Sequence, residues 1–395
     1  MAYQALYRKY RPKRFQDVIG QEHITTILKN QILEGHVAHA YLFTGTRGTG
    51  KTSTAKIFAK ALNCDAPIAG EPCGECPSCR IAETGGVDII ELDAASNTGV
   101  EDMRALIDKA RFAPLDLRVK VYIIDEAHML SKSAFNALLK TLEEPPAHVV
   151  FILATTEPQS IPATIVSRCQ RFDFHRLRVE DIVSCMESVL KSAGASIAPE
   201  GMVAIARAAE GGMRDALSLA DQCISFCGGN VAAEDVYGVL GSMESDFLFD
   251  VASALIAGDR DGALRLLERV VNEGRDLSVF TQDLARHFRA LLLAKLCGHC
   301  SDILDCTEDA MRRYEEQAAH CGEKRLSRAI DVLLGALSNL RYLALPRVQL
   351  ECAFVRITTP EEEPQSLDIL LERVAQLEQK LKLLYKDILN MIQRK

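Results

Sequence analysis

The segment Gly45-Thr46-Arg47-Gly48-Thr49-Gly50-Lys51-Thr52 constrains this chain more than any other. Its glycines let successive backbone N–H groups converge on one point, and the pattern G-x-x-x-x-G-K-T matches a phosphate-binding loop in full. Lys51 can reach the β and γ phosphates of a nucleotide, and the Thr52 hydroxyl can ligate Mg²⁺. Such a loop carries meaning only between a strand and a helix. YLFTG before it reads as the strand and TSTAKIFAKAL after it as the helix, which sets aside a chance glycine-rich turn.

The pattern around the loop repeats strand and helix signals through about residue 175. Candidate strands are 40–44, 87–92, 120–125, 149–155 and 170–174. Between the third and fourth, Ser131 is a candidate N-cap, Phe135, Leu138, Leu139 and Leu142 share one helical face, and Pro145 and Pro146 stop the helix. Alternating units of this kind predict a parallel sheet covered by helices. From about residue 178 the strand signal disappears. Helices are expected at roughly 179–193, 199–209, 213–226 and 233–240, followed by a second helical block from about 244 to 357 with breaks at Gly274, Gly298, Gly322 and Pro346. TTPEEEPQS, residues 358–366, reads as a linker. Beyond it, Leu367, Leu370, Val374, Leu377, Leu381, Leu384, Ile388 and Met391 form a heptad seam. That seam serves equally a coiled coil or one amphipathic helix docking on its own chain.

Composition excludes several classes. The longest apolar runs, such as 149–154, are far too short to span a membrane, and the basic N-terminus lacks the apolar stretch of a secretory signal. A cytoplasmic protein is expected. The net charge of −8 argues against a uniformly basic nucleic-acid binder, so any DNA contact must come from local patches or from several subunits together.

A second chemical element follows the loop. Val121-Tyr-Ile-Ile-Asp125-Glu126-Ala-His128 is an apolar strand ending in two carboxylates. Asp125 is placed to hold Mg²⁺, and Glu126, pointing elsewhere, can polarise an attacking water. The alternative for Glu126 is an ordinary surface carboxylate. Cys64, Cys73, Cys76 and Cys79 follow a C-x₈-C-x₂-C-x₂-C pattern within sixteen residues, with Gly and Pro between them. Four thiolates so spaced can close a tetrahedral Zn²⁺ site that is structural, since no coordination position stays open. Free thiols are the other reading. Cys297-Gly-His-Cys300 has the spelling of a disulfide-exchange site but ends a helical run, outside the βαβ setting such sites need. A second metal site using His299, Cys306 or His320 has little more support.

Further segments carry a family resemblance. LATTEP at 153–158 follows the fourth strand and puts Thr155 or Thr156 beside the acidic pair; Ser167-Arg168-Cys169 precedes the fifth strand; Gly212-Met-Arg214-Asp-Ala-Leu-Ser-Leu opens a later helix. Together they look like sensor 1, the arginine finger and sensor 2 of AAA+ clamp loaders. YRKYRPKRFQDVIGQEH, HAYLFTGTRGTGKTS, DEAHMLSKSAFNALLKTLEEPP and SRCQRFDF are similar to the gamma/tau subunits of bacterial DNA polymerase III. The likeness is close through about residue 242, looser through 357 and weak beyond.

The resemblance implies an α/β then all-α chain: an AAA+ nucleotide-binding domain at 1–177 with a zinc module at about 64–79, a helical lid at 178–242 and a helical oligomerisation collar at 243–357; the linker at 358–366 and the heptad helix at 367–395 rest on the residues alone. It implies that Lys51 and Thr52 bind phosphate and Mg²⁺, Asp125 completes the Mg²⁺ site and Glu126 acts as base. Thr155 would sense the γ-phosphate, Arg214 would touch it from the lid, and Arg168 would reach a neighbouring subunit's site. The basic run Arg8, Lys9, Arg11, Lys13 and Arg14 alone suggests a nucleic-acid patch or a solvated face. The resemblance instead makes Arg11, Pro12, Val18 and Ile19 the wall of an adenine pocket. The implied activity is ATP-driven loading of a sliding clamp onto primed DNA, with delta- and delta-prime-type subunits and further copies of the chain as partners. It would act within a replisome-associated polymerase III holoenzyme, with no polymerase site of its own. A DNA helicase or branch-migration motor, suggested by the DEAH quartet, and a non-catalytic scaffold are the alternatives.

Overall fold

Strands buried on both faces need near-continuous apolar runs, and the runs in the first part of the chain meet that demand. Ala40–Thr44 (β1), Ile89–Asp93 (β2), Lys120–Asp125 (β3), Val149–Thr155 (β4) and Gln170–Asp173 (β5) form an all-parallel sheet in the order β2-β3-β4-β1-β5. The computed structural model describes residues 4–84, 86–96, 99–240, 245–297, 304, 308–340 and 345–359. Contacts divide the chain into two units, Met1–Leu240 and Gly241–Lys395.

Alternate residues of the central strands feed two cores. On one face Tyr122, Ile124, Phe151 and Leu153 pack with Met103 of Val100–Ala110 (α5) and Leu138 of Lys132–Glu143 (α6). On the other, Tyr41, Phe43, Ile123 and Ile152 meet Leu28 of Glu22–Glu34 (α2) and Phe58 of Lys51–Leu62 (α3). Ser131 is the N-cap of α6, its hydroxyl accepting from the Ala134 N–H at 3.2 Å, while Phe135, Leu138 and Leu142 are buried and Leu139 packs partly against them. Burying each such leucine contributes roughly 1.5–3 kcal/mol.

Two edge strands depart from expectation. β2 starts at Ile89, not residue 87, because Val87 is exposed and the buried Asp88 is engaged elsewhere. Its carboxylate accepts backbone N–H bonds from Leu115, Asp116 and Leu117 at 2.8–3.1 Å, closing the loop that leads into β3. β5 ends at Asp173, one residue early.

Pro77–Thr84 (α4) precedes β2 and Ala163–Val166 (α7) precedes β5. After the sheet, Val179–Ala193 (α8), Pro199–Ala208 (α9), Met213–Cys227 (α10) and Ala233–Leu240 (α11) pack around Ile182, Met186, Ile205, Leu217 and Val236. Leu6, from the N-terminal turn Leu6–Lys9 (α1), joins that core. Strands do occur here, contrary to the sequence reading: Ser196–Ile197 and Asn230–Val231 pair in parallel. Two-residue strands are too short to leave a period in the sequence.

The second unit is helical throughout its described residues: Ser245–Ala257, Arg260–Asn272, Leu277–Cys297, Glu308–Ala319, Glu323–Leu340 and Pro346–Thr358. Phe280, Leu284, Phe288, Leu333 and Phe354 centre its core. Gly274 and Gly322 fall between helices and Pro346 opens the last one, as expected, while Gly258 makes a further break. Inside, His287 Nε2 lies 2.7 Å from Gln317 Oε1, and the Gln317 amide donates to the Phe249 carbonyl and the Ser253 hydroxyl. Gly298, His299, Cys300, Cys306, residues 360–366 of the expected linker and the heptad segment 367–395 lie outside the described residues. Among the described residues no helix is long and apolar enough to cross a membrane.

Candidate functional site

The strand order puts the C-terminal end of β4 between those of β1 and β3, and the candidate residues gather there. β1 runs into the loop 45–50, whose close approach depends on two glycines in particular. Gly45 has φ 143° and a Cβ there would lie 2.5 Å from the Phe174 carbonyl oxygen; Gly48 has φ 79° and a Cβ there would lie 2.9 Å from Gly212 Cα. A side chain at either position is strained by its backbone and blocked by its neighbour. The loop delivers the N-terminus of α3, where free N–H groups and the helix dipole favour an anion.

Lys51, in the first turn of α3, is 6 % exposed, and its ammonium donates to the carbonyls of Gly45 and Thr46, each at 2.8 Å. Burial pushes its pKa below the ordinary lysine value, while the Glu126 and then the Asp125 carboxylates oppose the shift. Thr52 Oγ1 donates to Asp125 Oδ2 at 2.7 Å, and Asp125 Oδ1 accepts from the Glu126 N–H at 3.0 Å. The Thr46 hydroxyl is buried and has no hydrogen-bond partner among the described residues. An orphan hydroxyl, a buried ammonium and a helix N-terminus around one loop fit a polyphosphate, and the Thr52–Asp125 oxygens fit a hard cation.

Glu126 takes the left-handed conformation, φ 48°, a state that costs a non-glycine residue on the order of 1 kcal/mol. Thr156 Oγ1 donates to Glu126 Oε2 at 3.4 Å, whereas Thr155, fully buried, accepts from the Glu157 N–H at 3.0 Å and lies 3.2 Å from His128 Nδ1.

The remaining candidates divide. Arg11 Nε donates to Ser53 Oγ at 3.0 Å, and Val18 is buried with Cγ1 3.7 Å from where a Gly50 Cβ would stand, so both flank the loop; Pro12 and Ile19 are half-buried in the same segment. The start of α10 also meets the loop, since the Met213 N–H donates to the Gly48 carbonyl at 3.0 Å. Arg214, one residue on, places its guanidinium 5.1 Å from the Tyr7 ring centroid. Arg168 is held instead by the Thr164 carbonyl at 2.7 Å and Glu143 Oε1 at 2.6 Å, one-third exposed beyond the end of α6. Sequence reasoning missed Tyr7, Glu143 and the position of His128, since none carries a spacing signal.

The four cysteines converge. All four Sγ atoms lie within 4.8 Å of one another, with Cys64 and Cys76 4.0 Å apart and Cys73 and Cys79 3.9 Å apart. A tetrahedral Zn²⁺ with Zn–S of about 2.3 Å requires S···S of about 3.8 Å. The N–H groups of Cys73, Cys76 and Cys79 point at Sγ of Cys64, Cys73 and Cys76 at 3.3–3.4 Å, the arrangement that steadies thiolates.

Three family profiles match the chain: "DNA polymerase III, delta subunit" over residues 20–178, "DNA polymerase III clamp loader subunit, ATPase lid domain" over 181–229, and "DNA polymerase III subunits gamma and tau domain III" over 231–372. Among curated relatives, the chain is 44% identical over 388 residues to DNA polymerase III subunit tau of Bacillus subtilis, covering 96% of this chain and 68% of that one. It is 49% identical over 275 residues to the tau subunit of Escherichia coli, covering 69% and 43% respectively. To the gamma subunit of Buchnera aphidicola it is 43% identical over 260 residues, covering 66% and 70%. The chain therefore spans about two thirds of the first relative and less than half of the second.

Proposed function

The chain belongs to the gamma/tau family of DNA polymerase III subunits and is a clamp-loader ATPase subunit, and we propose that it loads a sliding clamp onto primed DNA by ATP hydrolysis at the β1–β3–β4 edge. The observation that carries this reading is the convergence of Lys51 and Thr52, from the first turn of α3, with Asp125 and Glu126, from the end of β3, beside one loop. Gly45, Thr46, Arg47, Gly48, Thr49, Gly50, Lys51 and Thr52 would cradle the ATP phosphates, with Thr52 and Asp125 holding Mg²⁺. Bound Mg²⁺ neutralises charge developing on the transferred phosphoryl group. Glu126 is assigned as the base that orients water, Thr155 and Arg214 as sensors of the γ-phosphate, and Arg11, Val18 and Ile19 as the adenine wall.

Arg168 is assigned to a neighbouring subunit's site. Its anchorage on Glu143 at the surface supports that reading, and an arginine supplied in trans is worth about 10³–10⁵ in rate in related phosphoryl transfer. Residues 178–242 would be the lid and 243–357 the collar. Cys64, Cys73, Cys76 and Cys79 would bind one structural Zn²⁺. Delta- and delta-prime-type subunits, further copies of the chain, the clamp and DNA would be its partners, in the cytoplasm at the replisome.

ATP hydrolysis measured with the delta-type partners, clamp and primed DNA, beside Arg168→Ala, tests the proposal. Stimulation by clamp plus DNA that the variant loses, with ATP binding retained, supports it. Equal unstimulated rates in both proteins would overturn it.

A further inference from the structure

The DEAH histidine has no part in the assignments above, yet it occupies the junction between the two strand ends that carry them. After the left-handed Glu126, the single 3₁₀ turn Ala127–Met129 doubles the chain back, with the Met129 N–H donating to the Glu126 carbonyl at 2.9 Å. His128 thereby swings inward. Its side chain is 13 % exposed against 37 % for Glu126. One ring atom, Nδ1, faces both partners: Thr155 Oγ1 at 3.2 Å and Glu126 Oε2 at 3.6 Å.

We infer that His128 is a positioning residue, carrying its proton on Nδ1 and tying the Glu126 carboxylate at the end of β3 to the Thr155 hydroxyl at the end of β4. The carboxylate favours this tautomer: ionised Glu126 can only accept, and the ring atom facing its Oε2 is Nδ1; Thr155 can then receive the same proton. A threonine hydroxyl has two acceptor lone pairs and one proton. The Glu157 N–H fills one lone pair, and an Nδ1–H fills the other. The Thr155 proton is then left as the one donor the group can offer outward. The same Nδ1–H lies one small side-chain adjustment from a hydrogen bond with Glu126, and contacts of this kind commonly tighten only with substrate present. Thr156, the residue after β4, already donates to the same Glu126 oxygen, and His128 approaches it from the end of β3. A displacement of Glu126 would thus be passed to Thr155 through the His128 ring.

The inference rests on the assignment of Glu126 as base, and its test separates the two. In the full chain assembled with its delta-type partners, His128→Asn keeps an amide donor where Nδ1 stands, whereas His128→Gln carries its amide where Nε2 stands. Loss of a group that orients a functional side chain costs about ten- to hundredfold in activity. The expected result is that loss for His128→Gln, a kcat within about fivefold of the parent for His128→Asn, and nucleotide affinity within about twofold in both. Unfolding midpoints close to the parent's certify that both variants fold. A ¹⁵N spectrum of histidine-labelled protein should show His128 protonated at Nδ1, with that resonance moved by Thr155→Val. If Glu126→Gln hydrolyses ATP at the parent rate, the underlying assignment fails. If Glu126→Gln is inactive but the two His128 variants behave alike, or the ring carries its proton on Nε2, the inference itself is wrong.

Discussion

Thr52 and Asp125, 73 residues apart in the chain, are joined by a 2.7 Å hydrogen bond that brings the first turn of α3 to the end of β3. Neighbouring corners of a Mg²⁺ octahedron with bonds of about 2.1 Å lie about 3 Å apart, so the two oxygens already stand at the separation a shared cation requires. Asp125→Asn preserves the shape of that contact and removes its charge. The Mg²⁺ concentration for half-maximal hydrolysis should rise at least about tenfold, as read by titrating Mg²⁺ at fixed ATP. An unchanged titration would take Asp125 out of the cation site.

The cysteine cluster makes a separate prediction. Purified protein should contain about one Zn²⁺ per chain by elemental analysis, and Cys76→Ser should abolish it. Because Cys64 lies two residues beyond the end of α3 and Cys79 lies within the short helix Pro77–Thr84, metal removal should loosen residues 64–84 in hydrogen exchange while the central strands stay protected. A zinc-free protein with residues 64–84 fully protected would refute the site.

Asp88 should govern acid stability of the first unit. Burial works against its charge, but the N–H groups of Asp116, Leu115 and Leu117, then the charge of Lys120, outweigh it and hold the carboxyl below the usual range. A depressed carboxyl contributes stability that is complete above the unfolded pKa of about 3.9 and is lost as pH falls through the folded value. Asp88→Ala leaves three backbone donors without their acceptor and should cost roughly 2–4 kcal/mol at neutral pH. Denaturant melts of the two proteins should converge as the pH drops below about 4.

His287 predicts a different window in the second unit. Burial pushes this imidazole down to about 4, the Gln317 hydrogen bond opposing and the Arg313 charge assisting. The unfolded chain, with a histidine pKa near 6.5, binds the proton first, so stability is complete above about 6.5, declines as pH falls and levels off near 4. The loss amounts to about 3 kcal/mol. Thermal unfolding of the helical unit followed from pH 7.5 to 4 should show this decline, and His287→Gln should flatten it. A parent protein with a flat profile would contradict the assignment.

The site was legible where chemistry follows from contiguous residues. β1, β3 and β4 coincide with the expected spans because each is an apolar run bounded by turn or charged residues, and the phosphate loop and acidic pair sit at their ends. The cysteines were legible for the same reason. Asp88 was not: a lone acid before an apolar run reads as a strand edge, and its three donors lie on a loop more than twenty residues away. Nor could spacing say which threonine meets which partner. Successive side chains at a strand end point to opposite faces, and only the fold shows Thr155 turned to His128 and Thr156 to Glu126. Tyr7 beneath Arg214 is of the same kind, a contact between residues 207 positions apart.

The position of β1 has a consequence for synthesis. Its two neighbours in the sheet are β4 and β5, neither of which has left the ribosome when the phosphate loop first emerges. Until the chain has grown past residue 173, β1 lacks one or both ladders, and non-local pairings of this sort form late and slowly. Pairing on both sides of β1 therefore waits for the arrival of β5 and not for the appearance of the loop itself.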